Sequence, residues 1–148
     1  MFLKNVFGEF FGSVNLFKRD ATKKIANAVT DLDIDVAIAA HENWKLRLRT
    51  FLSGKSTENF IPEEICFDDR CDLGKWIHSS GRAKLGAFPG FTALMEHHKM
   101  FHYAASNVVA LAQAGKYDDA ERMLDVQFAQ HSAEVMRDLK KLKELSKA

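Results

Sequence analysis

Apolar residues return every three or four positions along most of this chain, a period that admits α-helices and excludes strands, which alternate every second residue. One stripe runs Ile34, Ala37, Ile38, His41, Trp44, Leu48, Phe51, Leu52. A second runs Phe91, Leu94, Met95, His98, Phe101, His102, Ala105, Val108, Val109, Ala112, and a third Leu124, Phe128, His131, Val135, Leu139, Leu142, Leu145. Helix signals bracket them. Asp31 or Asp33 is placed to cap the first stripe, and Gly54 to stop it. The second opens near Phe88-Pro89-Gly90 and stops at Gly115; the third starts around Tyr117-Asp118. Residues 54–72 lack helical periodicity apart from a turn at 62–66, and a short helix over 73–80 closes at Gly81. The expected fold is all-α: an antiparallel four-helix bundle with an extra N-terminal helix and a short helix after the long loop.

Residues 1–30 form a unit of their own in this reading, an amphipathic helix preceding the bundle of residues 31–148. Leu3, Phe7, Phe10, Val14, Phe17 and Ala21 alternate spacings of four and three, as a coiled-coil seam does. Such a seam covers a core or pairs with a second copy, so a homodimer is expected.

Composition removes several classes of function. Lys plus Arg is 21 and Asp plus Glu is 20, a net charge of +1 that leaves no basic footprint for nucleic acid. No apolar run approaches the roughly 18 residues of a membrane span. The Phe-rich N-terminus is interrupted by Lys4, Asn5, Glu9 and Asn15, unlike a secretory leader. Two cysteines are no disulfide framework. A cytoplasmic, reducing setting is the expectation.

Four of the six histidines fall on apolar stripes: His41, His98, His102 and His131. A single imidazole in such a place is ordinarily a core residue with one satisfied hydrogen bond. His98 and His102 are separated by one helical turn, which puts both rings on one face within reach of a common ion. His41 projects inward from a neighbouring helix, and Cys71 opens the tight element Cys-Asp-Leu-Gly-Lys-Trp. Three neutral imidazoles and one thiolate suit a tetrahedral Zn2+ better than any other first-row ion. Of the remaining candidates, His97 is turned about 100° from its neighbour His98 and faces solvent; His78 is a surface residue. His131 is either a core residue, a partner to a ligand or a substitute ligand. Cys66 is either a free buried thiol or a resolving thiol for an oxidised Cys71.

The order His41-Glu-Asn-Trp44, then Cys71-Asp-Leu-Gly74-Lys-Trp76, then His98-x3-His102 resembles the chemoreceptor zinc-binding (CZB) domain, over about residues 31–145. The resemblance implies a helical bundle with one zinc held by His41, Cys71, His98 and His102, attached in that family to bacterial chemoreceptors and diguanylate cyclases whose output it regulates. Trp44 and Trp76 are expected to keep water from the ligands. Gly74 serves either a close backbone approach or a plain turn.

Four protein ligands leave no open position for a hydrolytic water, and no Glu follows His98 in the H-E-x-x-H manner. The expected function is therefore regulatory and not enzymatic: a zinc-binding sensory module that responds to zinc or to oxidation of its cysteine, for example by hypochlorous acid. It passes a conformational change to a bacterial signalling partner in chemotaxis or cyclic-di-GMP control. Two other classes stay open on sequence: a helical-bundle carrier of haem or dioxygen, and a purely structural zinc adaptor.

Overall fold

The computed structural model describes residues 18–147. Residues 18–28 are helical (α1) and run into a tight 3-10 turn, Val29–Asp31. Asp33 then starts α2 (Ile34–Leu52): its Oδ1 accepts from the Val36 N–H at 3.1 Å, satisfying one of the donors that every helix leaves bare at its first turn. Gly54, at φ 77°, ends α2 in the left-handed region where a side chain would be strained.

The long connection folds as short pieces: α3 (Pro62–Ile65), opened by proline at its first position, and α4 (Asp72–Trp76), capped by Cys71. The expected stop at Gly81 is not there. The helix passes through a widened turn, Ile77–Gly81, bent at Ser79 (φ −126°, ψ −105°), into α5 (Arg82–Leu85). Gly81 is needed for packing: a Cβ on it would lie 2.9 Å from the Trp76 carbonyl oxygen and 3.0 Å from the Trp76 ring.

Two long rods complete the chain. α6 (Pro89–Gln113) ends before Gly115, at φ 78°. α7 (Tyr117–Met123) and α8 (Ala129–Lys147) form one rod through a second widened turn, Leu124–Phe128. α6 packs against α7 and α8, against α3 and against α2, and α2 packs against α8. Among the described residues there is no strand, and the all-helical expectation holds. Nor is any described helix long and apolar enough to cross a membrane.

The stripes are what the rods bury. Leu48, Phe101, Val108, Val109, Phe128, Val135 and Leu139 are completely inaccessible. Phe101 and Phe128 meet across α6 and the widened turn with ring centroids 4.9 Å apart. Burial of a side chain of this size contributes roughly 1.5–3 kcal/mol, far more than the exposed ion pairs Lys143–Asp35 (2.6 Å) and Arg49–Asp125 (2.7 Å) that also tie α2 to the last rod. In α1, Ile25 and Ala28 face the core. Leu3, Phe7, Phe10, Val14 and Phe17 of the expected N-terminal helix lie outside the described residues.

Candidate metal centre

Each of the four candidate ligands is set by its own element. His41 sits two turns into α2, buried, and its Nδ1–H donates to the Ala37 carbonyl oxygen at 2.7 Å. His102, on α6, donates Nδ1–H to the Ile65 carbonyl oxygen of α3 at 3.0 Å. A carbonyl only accepts, so both rings carry their proton on Nδ1 and present a bare Nε2 lone pair. His98, fully buried, makes no hydrogen bond through Nδ1; its polar contacts are all through Nε2. Cys71 caps α4, its Sγ accepting from the Gly74 N–H at 3.3 Å.

These atoms converge. His98 Nε2 lies 3.2 Å from His41 Nε2, 3.1 Å from His102 Nε2 and 3.3 Å from Cys71 Sγ. Cys71 Sγ is 3.7 Å from His102 Nε2, and all four atoms fall within 4.8 Å of one another. A tetrahedral zinc site with bonds of about 2.0–2.3 Å has donor–donor edges of about 3.3–3.7 Å; the two separations from sulfur are those of its edges, and the two between imidazoles, 3.2 and 3.1 Å, are slightly shorter.

Protons do not account for the cluster. Burial pushes the His41 pKa down to about 4 and that of His98 to about 2, and lowers that of His102. The rings are therefore neutral near pH 7, and two protons, one on His98 Nε2 and one on Cys71 Sγ, face four contacts of 3.1–3.7 Å among the donors. Burial also raises the pKa of the Cys71 thiol. A divalent cation resolves both problems: it takes the lone pairs and displaces the thiol proton. The donor chemistry fits Zn2+, and His41, Cys71, His98 and His102 are positioned to bind one such ion.

The neighbours divide clearly. Gly74 is a close approach: a Cβ there would sit 1.7 Å from the Asp68 carbonyl oxygen. Trp44 covers the centre from one side, 6.5 Å from the His102 ring and 5.8 Å from Phe60, with the Arg47 guanidinium stacked over it at 4.0 Å. Trp76 lines the larger cleft together with His41 and Cys71, but its polar edge is used elsewhere. Its indole N–H donates to the Ala28 carbonyl oxygen at 2.9 Å, and its ring packs on Phe91 at 5.9 Å.

Three contributors escaped the sequence. Phe101 stacks edge-on against His41 (5.1 Å) and His102 (5.4 Å). Ala37 and Ile65 act through backbone carbonyls, for which no side-chain signal exists. Phe101 had one, its place in the α6 stripe between the two histidines.

The other candidates lie elsewhere. His97 does not face solvent: it is half-buried, with Nδ1 2.5 Å from Asp138 Oδ2 and Nε2 3.5 Å from Glu134 Oε2 of α8. His131 joins that group, Nδ1 3.4 Å from Glu134 Oε2, and is outside the four-donor set. His78 is exposed and pairs with Asp68 at 3.1 Å. Both thiols are free, that of Cys66 donating to the Glu63 carbonyl oxygen at 3.3 Å.

Cys71 is also the accessible corner of the set. It lines a cleft of about 1010 Å3 shared with His41 and a second of about 480 Å3 shared with His102. His98 lines neither.

Residues 41–109 match the family described as the chemoreceptor zinc-binding domain, a span that contains all four donors. No curated protein and no solved structure matched the chain.

Proposed function

Since residues 41–109 match the chemoreceptor zinc-binding domain family, we propose that His41, Cys71, His98 and His102 hold one Zn2+ and that the chain is a metal-dependent sensory module. The observation that carries this reading is the convergence of two bare Nε2 lone pairs, a third imidazole and a sulfur with too few protons to separate them. When bound, zinc supplies the positive charge that keeps the sulfur a thiolate.

The residues then do three things. His41 ties in α2, His98 and His102 tie in α6, and Cys71 ties in the start of α4. α4 has five residues, too few to be stable in isolation, so Cys71 is its anchor. The sulfur's place in two clefts gives small oxidants access to it. A thiolate that attacks hypochlorous acid is oxidised to a sulfenic acid while the oxidant is reduced to chloride, and a sulfenic acid is a poorer ligand. Zinc depletion or oxidation would thus free α4. The receiver in this reading is a bacterial signalling protein of a chemotaxis or cyclic-di-GMP pathway in the cytoplasm, with a homodimer as the assembled form. The converging set holds four donors, none of them a carboxylate. That supports a closed regulatory centre over a catalytic, di-iron or haem site.

Elemental analysis of purified protein tests the metal: about one zinc per chain in the wild type, with His41→Ala, Cys71→Ala and His98→Ala each reducing retention after dialysis. Full zinc retention by these variants would overturn the assignment. For the redox part, hypochlorite titration should eject zinc in step with oxidation of Cys71 seen by mass spectrometry, with Cys66→Ala behaving as wild type. Ejection without modification of Cys71 would refute it.

A further inference from the structure

The expected role of Trp76 was to shield the ligands, yet its polar edge is spent on the N-terminal helix. The indole N–H donates to the carbonyl oxygen of Ala28, the last residue of α1, at 2.9 Å. Both residues are buried, Ala28 completely and Trp76 to all but 4%. A buried indole N–H left without an acceptor is strongly disfavoured, so the bond fixes where the end of α1 sits relative to α4. The ring is clamped on two further sides, by Phe91 of α6 and by Gly81, whose missing Cβ makes room for it.

The other end of α4 is Cys71. Its sulfur caps the helix through the Gly74 N–H and also faces His98 and His102. Five residues of helix span about 7.5 Å, so a shift at Cys71 has little more than one turn to cross before it reaches Trp76. Only that one turn separates the sulfur that meets the candidate metal from the indole that holds α1. Resting on the zinc reading above, we infer that Trp76 is the positioning residue that couples the metal centre to α1, making the 18–31 segment the part of the chain that reports metal occupancy. With Cys71 held, α4 stays seated and Trp76 keeps the Ala28 carbonyl. With Cys71 released, the same turn tilts and the bond to α1 is lost, exposing the backbone at the α1–α2 junction.

Hydrogen–deuterium exchange on the full chain, zinc-loaded and after chelation, tests this with Trp76→Phe, which keeps an aromatic ring but removes the N–H donor. In the wild type, zinc should protect amides of residues 25–33 by about tenfold or more. In Trp76→Phe the metal should still bind at wild-type stoichiometry and still protect residues 66–76, while its effect on residues 25–33 falls below about threefold. Phe91→Leu, which loosens the indole without removing its nitrogen, should give an intermediate loss and serves if Trp76→Phe unfolds. A bound metal that leaves residues 25–33 unchanged in the wild type, or equal protection there in the variants, overturns the coupling while leaving the metal site standing. A chain that binds no zinc overturns the site reading and the coupling together.

Discussion

Adding one methyl group at Gly74 should dismantle the candidate centre without touching a ligand. The Cβ of Gly74→Ala would lie 1.7 Å from the Asp68 carbonyl oxygen, and real Cβ contacts essentially never fall below 3.0 Å. The segment 68–74 must therefore open by about 1.3 Å. The obstructing atoms, the Asp68 carbonyl oxygen and its carbon at 2.7 Å, are backbone, so no rotamer relieves the clash. Cys71 lies inside that segment, and its sulfur also accepts from the Gly74 N–H. Metal sites tolerate only about 0.2 Å in a ligand distance, so even a fifth of the displacement removes the sulfur from the set. The expected loss of zinc affinity is at least about 100-fold, close to 2.7 kcal/mol. It is read by competition with a chromophoric chelator, together with loss of the thiolate charge-transfer band when Co2+ replaces zinc. Gly90→Ala is the control: nothing lies within 4 Å of its Cβ position, so zinc affinity should be unchanged and stability equal or slightly higher. Binding by Gly74→Ala within threefold of wild type would refute the reasoning.

Acid should destabilise the metal-free protein in a defined window. The buried rings have folded pKa values below their ordinary 6.5, to about 4 for His41 and about 2 for His98, so the unfolded chain binds protons that the fold excludes. Their stability contribution is complete above pH 6.5 and is lost as pH falls toward 4, at up to about 4 kcal/mol per pH unit where all three rings titrate only on unfolding; melting curves in chelator between pH 7 and 4 would show it. Zinc binding should release a proton near neutral pH, because burial keeps the metal-free Cys71 thiol protonated, and titration calorimetry in buffers of different ionisation enthalpy counts it. Asp138→Asn should cost about 1 kcal/mol, a few degrees in Tm, by weakening the 2.5 Å contact to His97 across α6 and α8, with zinc content unchanged.

The local parts of this molecule are written in its sequence. The 3.6-residue period of the stripes, the Asp33 cap and the glycines after α2 and α6 are decided by backbone sterics and by neighbours within a turn, so the helices and most of their ends follow from residue order alone. The His98–His102 pair was legible for the same reason, one turn separating the two rings, and His41 and Cys71 joined it through the order of their motifs. What tertiary structure decided is direction. The proton position on His41 follows from Ala37 in its own helix, but that on His102 is set by Ile65, thirty-seven residues away. His97 turned from solvent to α8 because Asp138 and Glu134 stand opposite it, and His131 went with them. Gly81 became a packing residue and Trp76 an anchor for α1 because partners distant in the chain fill the space around them. Sequence spacing fixes which face of a helix a side chain leaves from; the groups packed against that face fix which of its atoms are used and for what.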